Sequence, residues 1–99
     1  VEIILPVLDK KEDWAQHQQK LKEEFKELSL ALATTNIYGE EAIENIAEEA
    51  LDVIQVCIGI LDRVNENNPR ILKNKIQRHV VKLVNRGWKF KEVLRVVED

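Results

Sequence analysis

The chain has 99 residues, of which 44% are hydrophobic, 33% charged and 5% aromatic, with a net charge of −3. That is room for one domain, residues 1–99, with a modest core, because a chain this short buries only about two-thirds of its unfolded surface on its own. The single cysteine excludes an intrachain disulfide framework, the negative charge argues against nucleic acid as partner, and no apolar run is long enough to span a bilayer.

The first eight residues, Val-Glu-Ile-Ile-Leu-Pro-Val-Leu, lack a basic start and are interrupted by Pro6, so they do not read as a signal peptide. With the lone Cys57 this fits a soluble protein of the reducing cytoplasm. Helical periodicity then predicts a first helix over Lys10 to Ala33, a polar break from Thr34 to Gly39, and a second helix over Glu40 to Asn65. Asn67 and Asn68 precede Pro69, a well-placed first helical residue, and Gly87 follows Arg86 as a terminator; a third helix is therefore expected over Pro69 to Arg86. A short fourth helix is expected near Lys89 to Val97. No strand alternation persists beyond the first eight residues. The fold class is all-α, an antiparallel hairpin extended to a four-helix type of bundle.

On the first helix, Leu21, Phe25, Leu28 and Leu32 form an apolar stripe with Glu24 on its edge and Glu27 just beyond, while Glu23 points nearly the opposite way. On the second, Val53, Val56 and Ile60 flank Glu49, Asp52 sits at the border of the apolar arc, and Glu48 lies on the polar side. A short connection makes the two helices antiparallel neighbours. The pairs Glu24/Glu27 and Glu49/Asp52 are about equally far from the turn, so four carboxylates meet at one level. Two like charges about 5 Å apart at an effective dielectric of about 20 repel by about 3 kcal/mol. Such a seam must hold a cation, take up protons or splay.

The apolar belt of Ile46, Ala50, Val53, Ile54, Cys57, Ile58 and Leu61 is wider than one antiparallel neighbour covers. A homodimer or dimer of dimers is the expected completion of the bundle. Cys57 itself reads as a buried structural thiol.

The stretch Lys-Leu-Lys-Glu-Glu-Phe-Lys-Glu-Leu (20–28), followed by Glu-Glu-Ala-Leu-Asp (48–52), resembles the EExxE then ExxD motif of the MazG-like all-α nucleoside triphosphate pyrophosphatases. The similarity runs from about Trp14 to Val64. It implies Mg²⁺, with Mn²⁺ as a substitute, held by Glu24, Glu27, Glu49 and Asp52. It also implies hydrolysis of a nucleoside or deoxynucleoside triphosphate to the monophosphate and pyrophosphate, a reaction suited to house-cleaning of nucleotide pools. Glu27 is the choice for the carboxylate that orients or deprotonates the attacking water.

Residues 1 to 68 hold fifteen acids and six bases, whereas Arg70 to Lys91 holds eight bases and no acid. Lys75, Arg78, Lys82 and Arg86 share a narrow arc of the third helix and are the candidates for binding substrate phosphate. Trp14, His17 and Asn45 are candidates for base or sugar contacts, with core packing the competing reading for Trp14 and His17 and a polar helix face for Asn45. No Gly-rich phosphate loop, zinc spacing or nucleophilic triad accompanies them. A non-enzymatic helical assembly or metal-binding scaffold would leave the carboxylates incidental to catalysis. A nucleic-acid module would instead use Arg70 to Lys91.

Overall fold

The computed structural model describes residues 4–34, 39–93 and 95. Three helices account for its regular structure: α1 (Trp14–Ala33), α2 (Glu40–Asn67) and α3 (Pro69–Asn85), with no strand among the described residues. The chain divides into two compact units. One is Leu8–Ile60, and the other is Val1–Val7 with Leu61–Asp99.

The first unit is the hairpin of α1 and α2, packed antiparallel. Helix α1 begins at Trp14 rather than at Lys10 because Asp13 caps it. The Asp13 carboxylate accepts the Gln16 backbone N–H at 2.7 Å, and the Gln16 side chain accepts the Asp13 N–H at 2.8 Å. This reciprocal box satisfies amides that have no intrahelical partner, and loss of such a cap costs about 1 kcal/mol. At the other end the Thr34 hydroxyl donates to the carbonyls of Leu30 and Ala31. Of the break expected from Thr34 to Gly39, residues 35–38 lie outside the described residues.

The seam follows steps of four and three on both helices. On α1, His17, Glu24 and Ala31 are buried and Leu21 and Leu28 half-buried; on α2, Ala42 is buried and Ile46, Glu49, Val53, Val56 and Ile60 are half-buried. An alternation of four and three is the repeat that keeps one stripe of each helix against its neighbour. The expected stripe needs correction. Phe25 is 65% and Leu32 55% exposed, so the true seam of α1 is rotated toward Glu24, which lies at its centre and not on its edge. The sequence pattern centres the stripe on the largest apolar residues, whereas the residues the hairpin buries most fully are small or polar. Cys57 is also exposed, because the apolar belt of α2 is wider than the face α1 covers.

His17 packs on Gly59, where an added Cβ would lie 3.4 Å from the imidazole Cε1. The missing side chain on α2 makes room for the ring.

In the second unit, Asn68 stands in extended conformation between α2 and α3, and its side chain accepts the Arg70 N–H at 3.1 Å. Pro69 disfavours helical geometry at the residue before it, so α2 stops at Asn67 and α3 starts at Pro69. After Arg86, Gly87 takes φ 82°. Its N–H donates to the Val84 carbonyl at 3.0 Å, while that of Trp88 donates to Leu83 at 3.2 Å. This is a Schellman closure with glycine at the left-handed position.

The expected helix near Lys89 to Val97 is absent among the described residues, 88–93 and 95. A segment this short does not nucleate a helix without a surface to bury against, and Trp88, Phe90 and Val93 are exposed. No described helix is long and apolar enough to cross a membrane.

The His17–Gly59 contact yields a graded expectation. Gly59→Ala should be neutral to stabilising by up to about 1 kcal/mol, because alanine is the better helix former and its methyl meets the imidazole at ordinary contact distance. Gly59→Leu overfills the same space and should destabilise by about 1–3 kcal/mol. Urea unfolding of the two variants checks the order.

Candidate metal centre

Glu24 and Glu27 stand three residues apart on α1, as do Glu49 and Asp52 on α2, so each helix offers two carboxylates to the hairpin. One oxygen from each of the four lies within 4.8 Å of the others. Opposite ligands of an octahedral Mg²⁺ are about 4.2 Å apart, twice its usual bond length. Adjacent ligands are closer, about 3.0 Å, so the four oxygens are gathered on the scale of one ion's coordination shell and would draw inward to fill it.

The four groups run from interior to rim. Glu24 is 7% exposed, Glu49 is half-buried, and Glu27 and Asp52 are exposed. One oxygen of Glu24 accepts the Lys20 ammonium at 3.0 Å. Its other oxygen, Oε2, is buried with no hydrogen-bond partner, and so is Oε2 of Glu49. A buried carboxylate oxygen without a donor is costly to leave unsatisfied. A hard divalent cation, which takes oxygen ligands, fits that donor set.

The crowding also acts on protonation. Burial is the largest influence raising the Glu49 pKa above its ordinary value, followed by the hydrogen bond shared with Glu27 and the charges of Glu27, Asp52 and Glu24. Without a cation, the crowding thus favours proton uptake by Glu49 at a higher pH than an isolated glutamate would need.

The neighbouring acids lie outside the group. Glu23 accepts from Gln19 at 3.3 Å and lies 4.0 Å from Lys20, and Glu48 is exposed on α2. His17 is buried, with Nδ1 3.5 Å from Glu12 Oε2 and its ring 6.2 Å from that of Trp14, tilted by 51°. Trp14 is half exposed at the first turn of α1, and Asn45 is exposed one turn before Glu49. Lys75, Arg78, Lys82 and Arg86 are exposed and line one open groove along α3 with Asn74, Gln77 and Asn85. The carboxylates belong to the first unit and this cationic row to the second.

Two contributors escaped the sequence reading. Lys20 carried a usable signal, its position one turn before Glu24. Glu12 lies outside the helix and carried none. Comparison with protein-family models, with curated proteins and with solved structures finds no match to this chain.

The raised Glu49 pKa fixes the sign of a pH dependence. The folded protein holds this proton more tightly than the unfolded chain, so the contribution favours the fold at acidic pH and is lost as pH rises through the folded-state value. In the absence of divalent ions, stability should therefore fall from the ordinary carboxylate range toward neutrality. Glu49→Gln should flatten that decline and raise the metal-free melting temperature at neutral pH, which thermal unfolding in chelator across a pH series will test.

Proposed function

We propose that the chain is a Mg²⁺-dependent hydrolase that cleaves a nucleoside triphosphate to the monophosphate and pyrophosphate. The observation that carries this reading is the carboxylate cluster, with the buried unpartnered oxygens of Glu24 and Glu49. The EExxE and ExxD spacing that led to the MazG-like resemblance provides those same four residues.

In this reading Glu24 and Glu49 are the inner ligands and Glu27 and Asp52 the ligands at the solvent edge. Bound there, Mg²⁺ supplies Lewis-acid activation and neutralises phosphate charge. Glu27 is exposed at that edge and positioned to orient a water molecule or accept its proton as the water attacks the α-phosphorus. The bond between the α-phosphorus and the bridging oxygen breaks, and the electron pair leaves with pyrophosphate. Lys75, Arg78, Lys82 and Arg86 are the proposed phosphate-binding cations. Trp14 and Asn45 present exposed groups for base or sugar contact, whereas the burial of His17 against Gly59 and Glu12 favours its packing role.

Self-association belongs to the same proposal. The hairpin exposes Phe25, Leu32, Ile43, Leu51 and Ile54, and the described residues include no large side chain that is fully buried. A homodimer or dimer of dimers would cover part of that surface. Light scattering should give at least twice the monomer mass; a monomer at all concentrations counts against assembly.

A panel of nucleoside and deoxynucleoside triphosphates incubated with Mg²⁺ should release pyrophosphate from at least one member. Glu24→Gln, Glu27→Gln, Glu49→Gln and Asp52→Asn should each lose hydrolysis by about two orders of magnitude or more while remaining folded. Glu23→Gln and Glu48→Gln should stay within a few-fold of wild type, because an exposed carboxylate outside the cluster offers only screened attraction. Equal activity in all six variants would sink the catalytic assignment. Inactivity of wild type toward every triphosphate, with saturable Mg²⁺ binding, would leave a metal-binding scaffold.

A further inference from the structure

Lys20 stands one turn before Glu24 on α1, and its ammonium lies 3.0 Å from Glu24 Oε1. Among the described residues it is the only cation within ion-pair distance of the four clustered carboxylates. The pairing is selective. Glu23 is more exposed and also within reach, yet the ammonium lies 4.0 Å from it and closer to the buried carboxylate. Lysine preceding glutamate by four residues is the less favourable order on an isolated helix. The crowded negative charge around Glu24, more than helix geometry, accounts for where the side chain reaches.

Resting on the reading of the four carboxylates as a divalent-ion site, we propose that Lys20 is a tethered counter-cation that holds down the affinity of that site, because an ion binding the unpartnered Oε2 of Glu24 meets the ammonium on Oε1. In the metal-free protein the ammonium neutralises part of the cluster and so lessens the repulsion between the carboxylates of α1 and those of α2. A divalent ion that enters through Glu24 Oε2 meets that charge, and the lysine side chain, half exposed, turns toward solvent. Its charge lowers the affinity of the site, so the ion exchanges instead of remaining permanently bound. Lys20 is thus a residue that tunes the site and not a ligand of it.

The test uses the full chain and Mn²⁺ alone, titrated with the free ion followed by electron paramagnetic resonance. Lys20→Met keeps the aliphatic stem and removes the charge; Lys20→Arg keeps the charge. Lys20→Met should bind Mn²⁺ about tenfold more tightly than wild type, the scale expected for one exposed unit charge a few ångströms from a divalent ion. Lys20→Arg should remain within about twofold. In chelator, Lys20→Met should melt below wild type, and saturating Mn²⁺ should remove the difference. Binding by wild type with equal or weaker binding by Lys20→Met overturns the role of Lys20 and leaves the metal site standing. An equal gain in Lys20→Arg overturns it too. Absence of Mn²⁺ binding in both wild type and Lys20→Met overturns the metal site and the role of Lys20 together.

Discussion

The constraint on which the hairpin unit depends is the presence of carboxylates in the seam between α1 and α2. Glu24 and Glu49 occupy positions that the four-three repeat would otherwise give to leucine or valine. Ionised and unpaired, they would oppose the packing that positions them. Three accommodations answer that opposition: the ammonium on Glu24, the upward shift of the Glu49 pKa, and the exposure of Glu27 and Asp52 to water. The hairpin closes around charge because these compensations are local to it.

This arrangement explains why the seam is otherwise modest. Its buried apolar residues are the small Ala31 and Ala42, near the ends of the helices that the connection joins. His17 fills the opposite end by lying on a glycine. A seam of large aliphatic residues would leave less space for four carboxylates to converge. The apolar residues that such a seam would have used, Phe25 and Leu32 among them, are instead turned outward.

Much of this was legible in the chain. Asn68, Pro69 and Gly87 marked the limits of α3 through local stereochemistry, which acts within a few residues and needs no tertiary knowledge. The choice of Glu24 over Glu23 and of Glu49 over Glu48 followed from helical phase combined with antiparallel pairing. The phase itself was imperfect for α1. Centring the stripe on Phe25 and Leu32 assumes that burial follows hydrophobicity, and it fails where the seam buries acid. The start of α1 was misplaced although Asp13 and Gln16 carry a capping pattern, and the helix expected from Lys89 is absent among the described residues because periodicity cannot reveal whether a surface exists to support it. Cys57 illustrates the same limit, since an apolar belt does not say which of its members the neighbouring helix covers.

The pairing of Glu24 with Glu49 also acts as an alignment key. If one helix slid along the other by a heptad, Glu24 would come level with Ala42 or Val56, where no second carboxylate could share a proton or an ion with it. An insertion in one arm between the carboxylates and the turn would therefore have to be matched in the other, whereas a change within the connection alone would leave the alignment intact. The length of each arm is fixed by the other, and chain variation is directed into the turn.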